Sequence, residues 1–370
     1  MKVVNLTFYP LRPQETAGFL LQRSEYCTIF AELEKHCELA HIHCYSGNVP
    51  PGETQVKWFR RKTGFFSFSY ALCRHIRALK PGIVFLHSFN EPVQWLWLKL
   101  FMPQSTRLVI QHHAEKPYVH PLKSFLQRLA FRDADLCFFT SVELAADFFK
   151  RGIITETCKV KELMEVSTFF GKTDKFSART QLKLFSAQTF LWVGRLNNNK
   201  DPLTVLNAFD ILRKSSDLPH VLYMLYGSVE LEEELKQFVK ENTLEECVYL
   251  IGGRPHEELA LWFSAADYYI SASHYEGSGV ALCEAMACGC VPIVTNIPSF
   301  KTMTRNGACG FLYPPGDSDR LAAILEEAIK TNAREKLSEK ALQIFREDLS
   351  YEAISKKLFE EVTRLMARPS

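Results

Sequence analysis

Residues 271–289 read SASHYEGSGVALCEAMACG and follow the apolar run ADYYIS at 266–271. That run predicts a buried strand and the glycines after it a turn. Residues 279–288 predict a helix, with Ser278 as its N-cap and Gly289 as the C′ residue that stops it. A strand that turns directly into a helix leaves the first helical N–H groups free, with the positive end of the dipole behind them. Such a start holds a phosphate or diphosphate, and Gly277 and Gly279 let a ligand come close to the backbone.

Two carboxylates bracket the turn. Glu276 precedes the helix and Glu284 lies inside it, roughly 7 Å from a start near Gly279 at 1.5 Å per residue. An ionised carboxylate only accepts hydrogen bonds, so hydroxyls are its natural ligands, and a nucleotide diphosphate sugar has a sugar on each side of its diphosphate. One acid for each sugar follows. Glu284 also stands within the apolar segment VALCEAMACGCVPIV, where an unpaired charge is costly to bury, so a ligand or a structural partner is expected for it. A second cluster lies in LWVGRLNNNKDPLTVLNAF, residues 191–209: Gly194 and Arg195 end a strand, and Lys200 stands just before a helix. Two cations on one loop can neutralise a diphosphate and the charge that develops when a sugar–phosphate bond breaks.

At 370 residues the chain exceeds one ordinary domain, and 47% hydrophobic with 23% charged residues is a globular composition, so two domains are expected. The opening MKVVNLTFYPLRP lacks the charged-then-apolar pattern of a secretory leader, and no apolar run reaches about 18 residues; the expected location is cytoplasmic, with the inner face of the membrane within reach. Eleven cysteines without a pair of C-x-x-C motifs read as free thiols, and Cys288 and Cys290 fit a buried helix-to-strand turn better than a metal. Charge is uneven. Residues 1–180 hold 24 Lys and Arg against 16 Asp and Glu, a net +8, and the remainder 20 against 26, a net −6, which together make the overall +2. The basic half suits an anionic partner.

Strands alternate with helical stretches along the whole chain. KVVNLTFY opens it; strands follow at 41–44, 83–89 (IVFLHSF), 107–111 and 136–141, with helical segments at about 18–37 and 68–79 and a loop at 47–53. Polar FGKTDKFSARTQLK at 170–183 reads as a linker, after which strands at 189–194, 220–226, 247–251 and 266–271 alternate with helices at 202–212, 231–240 and 256–265. This is an α/β pattern of parallel sheets covered on both faces. The last segment, 350–366, is amphipathic, with Ile354, Leu358, Val362 and Leu365 near helical spacing.

Glu276 and Glu284, in EGSGVALCEAMACGCVPIV, match the Glu-x7-Glu signature of the retaining glycosyltransferases with the GT-B fold, family 4, of the glycosyl transferases group 1 type. NGACGFLYPPGDSDRLAAIL at 306–325 resembles that family's usual sequel of strand, turn and helix. The resemblance implies two Rossmann-like domains with parallel sheets facing a central cleft. Residues 1–175 would be the acceptor-side domain, 176–348 the nucleotide-sugar domain, and 349–370 a helix crossing back to the first. It implies a hexosyltransferase-type enzyme of polysaccharide or glycoconjugate biosynthesis, moving a sugar from a nucleotide diphosphate sugar to a hydroxyl of a glycan or lipid-linked acceptor, with retention.

By the same resemblance Arg195 and Lys200 serve the leaving group, Glu276 the donor sugar and Glu284 the ribose, with Gly194, Gly277, Ser278, Gly279 and Val280 around the donor. No cofactor beyond the co-substrate and no metal is required. A first-domain histidine that follows a strand points at the transferred sugar in this family, and RLVIQHHAEKP offers His112 and His113. His113 holds the position where similar sequences read His-Gly, although Ala114 follows here. His87, at the end of IVFLHSF, falls on the acceptor side with His112 and with Gly18, which stands alone where many relatives have a Gly-Gly turn.

VKWFRRKTGFFSF at 56–68 mixes basic and aromatic residues and points to an anionic membrane surface or a lipid-linked acceptor. Nucleic acid is not an expected partner, because the basic run is short and no recognised module accompanies it. The alternatives to a transferase are a nucleotide-sugar epimerase or hydrolase of the same fold, and a catalytically silent partner subunit. A dehydrogenase is disfavoured by the lack of G-x-G-x-x-G after the first strand.

Overall fold

The structure, a computed structural model, describes residues 2–10, 28–46, 57–60, 65–184, 187–215 and 219–367. Two compact units form, one from residues 1–166 with 351–370 and the other from 167–350. The readings at Gly18 and at the 47–53 loop lie outside the described residues.

In the first unit the strands are β1 (Lys2–Pro10), β2 (Glu38–Ser46), β3 (Lys57–Arg60), β4 (Ile83–His87), β5 (Arg107–Gln111), β6 (Leu136–Phe139) and β7 (Val160–Glu162). Every neighbouring pair is parallel, in the order β3-β2-β1-β4-β5-β6-β7. The helices are α1 (Ala31–Glu34), α2 (Tyr70–Leu79), α3 (Pro92–Phe101), α4 (Pro121–Phe131) and α5 (Ala146–Lys150). Apolar side chains of α2, α3 and α4, among them Leu72, Ile76, Leu98 and Phe131, pack with Val4, Leu6, Val84, Leu86 and Ile110 in one core. Alternate residues of those strands point to the opposite face of the sheet, and there β1, β2 and β4 place Asn5, His41 and His87, all buried.

The second unit holds β8 (Gln188–Gly194), β9 (His220–Tyr226), β10 (Val248–Gly252), β11 (Tyr268–Ser271), β12 (Val291–Thr295) and β13 (Phe311–Tyr313), again all parallel. Its helices are α6 (Lys175–Leu182), α7 (Pro202–Ser215), α8 (Glu232–Glu241), α9 (Leu259–Ala265), α10 (Val280–Ala287), α11 (Pro298–Met303), α12 (Ser318–Lys330) and α13 (Arg334–Ile344). The strand order is β10-β9-β8-β11-β12-β13. The chain therefore moves outward from β8 to β10 and then returns beside β8 to start β11. Winding reverses between β8 and β11, and loops leaving the carboxyl ends of those two strands diverge to open a crevice.

The stretch at 170–183, read as a linker, belongs to the second unit and contains α6. Its apolar periodicity is weak because it is held by charge. Asp174 caps the helix by accepting from the Ser177 N–H at 2.8 Å, and Lys175 and Arg179 reach Asp267 at 2.5 and 2.8 Å. Arg334, the first residue of α13, joins them on the same carboxylate, which also accepts the Thr189 N–H at 2.8 Å. Burial opposes the charged form of Asp267, but Lys175, the Thr189 N–H and Arg334 outweigh it and hold the carboxyl below its ordinary range. Asp267 stands immediately before β11, so this node ties two helices to the strand that feeds the crevice.

The last helix, α14 (Tyr351–Met366), is part of the first unit, where Ile354, Leu358, Val362 and Leu365 are buried. Ser355 Oγ accepts the Glu32 N–H of α1 at 2.6 Å, and Phe359 stacks on His36 at 4.4 Å. No described helix is long and apolar enough to cross a membrane.

Removing the Asp267 carboxylate leaves Lys175, Arg179 and Arg334 crowded around an uncompensated buried position. Asp267→Ala is expected to cost about 3 kcal/mol of unfolding free energy, the lower end of the range for breaking a buried pair because the cations are partly solvated. A urea titration of wild type and variant measures it, and a loss below about 1 kcal/mol contradicts the assignment.

Candidate functional site

Four loops leave the carboxyl ends of β8, β9, β10 and β11 in the second unit and enclose a cavity of about 580 Å³. Its lining includes Gly194, Arg195, Lys200, Glu276, Ser278, Val280 and Glu284 from the sequence reading, together with Asn197, Asn199, Gly227, Gly253, Arg254 and His256. Backbone and amide hydrogen bonds join the loop after β8 to the one after β11. His274 N donates to Asn199 O at 2.8 Å, and Asn199 Nδ2 to Tyr275 O at 3.0 Å. Asn197 Oδ1 accepts the Lys200 N–H at 3.0 Å. Asp201 accepts both the N–H and the hydroxyl of Thr204 at the start of α7 and bonds His274 at 2.9 Å. The polar run NNNKD is thus the clasp that carries Lys200 to Glu276, and the two form an ion pair.

Glu284 lies on the buried side of α10, a helix whose other buried residues are Leu282, Cys283, Ala285, Met286 and Ala287. Only 3% of Glu284 is exposed, and the partner that its burial demands is His256, whose Nε2 is 2.6 Å from Oε1. His256 packs on Phe170 at 4.9 Å between ring centres. Nothing in the local sequence around Glu284 points to His256, which comes from the loop after β10, 28 residues earlier.

The helix start differs from the reading in one respect. The cap position of α10 is Gly279, one residue beyond Ser278. The physical reason lies across the packing interface. A Cβ at residue 279 would sit 2.5 Å from the Phe300 ring of α11, so glycine is required there to let Phe300 close over the turn. Gly289 has φ +75 and ends the helix as read. Gly227, just after β9, has no atom within 4 Å of where a Cβ would stand, so its backbone faces open cavity. Glu276 and Glu284 each hold a basic partner. Arg195 and Arg254 reach the same cavity without a carboxylate partner among the described residues.

In the first unit the three histidines of the reading separate. His112 is 1% exposed, its ring stacked on Phe139 at 4.6 Å and bonded to Glu115 O at 2.8 Å, which makes it part of the core. His113 reaches the surface with about a quarter of its side chain. Ala114 after it has φ +67, the left-handed backbone that glycine adopts freely, so the His-Gly geometry of similar sequences is kept with a methyl group in place. Glu115 fixes this loop by accepting the His113 N–H at 2.6 Å and the Phe89 N–H at 2.5 Å.

His87 and His113 belong to one chain of hydrogen bonds. It runs from Glu34 Oε1 to His41 Nε2 (2.8 Å), from His41 Nδ1 to Asn5 Nδ2 (2.9 Å), from Asn5 Oδ1 to His87 Nε2 (2.7 Å) and from His87 Nδ1 to His113 Nε2 (2.8 Å), and it ends on the pair between His113 Nδ1 and Glu165. Glu34 at one end and a neutral His87 fix its polarity. Glu34 takes the His41 Nε2–H, so His41 Nδ1 accepts from the Asn5 amide, and Asn5 Oδ1 accepts the His87 Nε2–H. Burial, reinforced by His113, His43 and His41, holds His87 well below the ordinary histidine range and keeps it neutral, so its Nδ1 accepts from His113. The other nitrogen, Nδ1, faces the Glu165 carboxylate, which can only accept. For both of these contacts to be met, His113 has to carry a proton on each ring nitrogen.

The comparisons with known proteins bear on this arrangement. Residues 175–344 match the family model described as glycosyl transferases group 1. The amylovoran biosynthesis glycosyltransferase AmsK of Erwinia amylovora is 32% identical over 171 residues, 44% of this chain and 41% of that protein. An Escherichia coli enzyme named UDP-Gal:alpha-D-GlcNAc-diphosphoundecaprenol alpha-1,3-galactosyltransferase is 26% identical over 225 residues, 60% of this chain and 51% of that one. The matched parts thus span about two fifths to one half of these curated relatives. Among solved structures, the Anabaena protein Alr3699/HepE in complex with UDP superposes with a TM-score of 0.77 over 98% of this chain and all of that one, at 17% identity. The fold is α/β of the GT-B type, with two sheets of parallel strands and flanking helices.

Ring ¹⁵N chemical shifts at pH 7.5 are expected to show both nitrogens of His113 protonated, and only one in Glu165→Gln. His87 should keep a single ring proton at pH 5.5, where an ordinary histidine near 6.5 is mostly charged. A neutral His113 in the wild type contradicts the assigned polarity.

Proposed function

We propose that the second unit binds a nucleotide diphosphate sugar in this cavity and that the chain transfers the sugar to a hydroxyl of a glycan or lipid-linked acceptor, with retention at the anomeric carbon. One observation carries the reading: at a single switch point two carboxylates, each already held by a base, meet the start of α10 and three cations. Each paired group keeps valence for a ligand. An ammonium has three N–H donors, so Lys200 can serve Glu276 and still offer two to diphosphate oxygens. Glu276 keeps an oxygen for the donor-sugar hydroxyls, and Glu284, with Oε1 on His256, keeps Oε2 for a ribose hydroxyl. Arg195 and Arg254 present planar guanidinium forks that suit phosphate oxygens.

In the proposed reaction the bond from the anomeric carbon to the phosphate oxygen breaks and the bond to the acceptor oxygen forms on the same face. The acceptor proton passes to the departing phosphate, as the resemblance to retaining enzymes suggests. Preorganised cations and the N–H groups of α10 stabilise the charge that develops on the leaving group, which is where such a site gains most over water. They supply the positive charge that a divalent ion would otherwise bring, so EDTA is expected to leave turnover unchanged. UDP bound to one structural neighbour and the undecaprenyl acceptor named for one relative make UDP-sugars and lipid-linked glycans the first substrates to test. The reading places the chain in polysaccharide or glycoconjugate biosynthesis.

With a productive donor and acceptor, Lys200→Ala and Arg195→Ala are each expected to lower kcat by about 100-fold or more while weakening the donor less, because the charge they meet grows only in the transition state. NMR of the product gives the anomeric outcome. Donor cleavage that proceeds equally without any acceptor would instead identify a hydrolase or epimerase.

A further inference from the structure

We propose that the outer face of α3 and α4, with the segment at 65–70, docks on an anionic lipid bilayer. This inference stands independently of the chemistry in the second unit. Of the fifteen large hydrophobic side chains exposed among the described residues, nine lie between Phe66 and Leu129. They are not scattered. On α4, Leu122, Phe125 and Leu129 are spaced i, i+3, i+7 and form one stripe opposite the buried Gln127, Ala130 and Phe131. On α3, which packs beside α4, Trp97 and Leu100 face out one turn apart. The segment before α2 joins the two helices: Phe68 meets Trp97 at 4.8 Å between ring centres, and Phe65 meets Tyr118, just ahead of α4, at 5.6 Å.

The exposure of that segment is built into the fold. Gln94 of α3, 6% exposed, donates from Nε2 to Phe65 O at 3.0 Å and to Ser67 Oγ at 3.1 Å. A buried amide thus fixes the backbone so that Phe66, 64% exposed, and Phe68, 45% exposed, stand in water. A protein spends a buried polar group this way to present apolar side chains to something, since solvent alone disfavours them.

Charge identifies what that something is. Residues 65–135 carry nine Lys and Arg against four Asp and Glu, a net +5 in a chain whose total is +2. Lys99, between Trp97 and Leu100, and Arg132, just after α4, both pair with Asp133 at 3.0 and 3.4 Å, whereas Lys123 and Arg128 flank the stripe on α4 itself. Lys123 Nζ stands 5.1 Å over Phe65 and 5.4 Å over Tyr118, so its charge is held at the level of the aromatic rings. Aromatic and aliphatic tips with long cationic side chains around them match the acyl boundary and anionic headgroups of a bilayer. An apolar protein partner would leave this charge unanswered, and nucleic acid would leave the apolar stripe in water.

The test is flotation of the full chain with phosphatidylcholine vesicles, alone or containing about one quarter phosphatidylglycerol. Binding to the anionic vesicles, at least about tenfold weaker to neutral ones and reduced by added salt, is expected. Phe66→Ser with Phe125→Ser, and separately Lys123→Ser with Arg128→Ser, should each lower binding about tenfold at an unchanged melting temperature. No flotation, equal binding to both vesicle types, or variants that float like wild type would overturn the proposal. So would a solution dimer that the Phe66→Ser/Phe125→Ser variant dissociates, because it would assign the face to a second copy of the chain.

Discussion

A carboxylate buried on an apolar helix has to be answered by a base, and in this chain the answer sets the width of the crevice. Glu284 sits on α10, which follows β11, whereas His256 comes from the loop after β10 at the far edge of the sheet. Their bond spans the switch point and brings Gly253 and Arg254 to the same cavity as the start of α10. Lys200 and Glu276 do the same between the loops after β8 and β11. The walls are therefore held by two contacts between a base and a carboxylate, each of which keeps donors or acceptors to spare. A site built this way is preorganised before any ligand arrives, which limits the reorganisation that binding and reaction require.

Much of the frame was legible because buried parallel strands are continuous apolar runs between turn residues. RLVIQ at 107–111 and HVLYMLY at 220–226 coincide with β5 and β9. The elements the sequence reading passed over lacked periodicity, for identifiable reasons. In PVQWLWLKLF, the sequence of α3, apolar residues cover the solvent face as well as the core face, so no moment marks a helix. The four-residue edge strand β3 pairs only through β2 and is half basic, and α6 is organised by Asp267, a residue almost ninety positions away. Within the site, the acids and cations were visible as residue types at strand ends. Asn197, Asn199 and His256 were not, because their roles depend on which loops become neighbours in space. The signal that could have found them is the glycine that ends or follows each of β8, β9 and β10, at Gly194, Gly227 and Gly252.

The first unit shows how one sheet can serve two chemistries. Toward α2, α3 and α4 its strands present Val, Leu and Ile, and those helices carry an apolar surface on to their own outer side. On the opposite face the same strands present Asn5, His41 and His87, linked by hydrogen bonds from Glu34 to Glu165. Buried polar groups are tolerated there because each is met by the next, and Glu34, which can only accept, sets the direction of donation from His113 back through His87, Asn5 and His41. Asn5 is central to this order, since its amide is the one member whose donor and acceptor ends cannot exchange by moving a proton.

Donor recognition by the second unit is the claim on which the rest of the functional account depends. Thermal stabilisation of the full chain across UDP-, GDP-, ADP- and TDP-sugars and the free nucleotides, repeated with Glu284→Ala, tests it most directly. The account predicts one dominant nucleotide whose stabilisation, about 2.7 kcal/mol at 100 times its Kd, shrinks in the variant. No shift with any of them, or a shift that Glu284→Ala leaves intact, would contradict it.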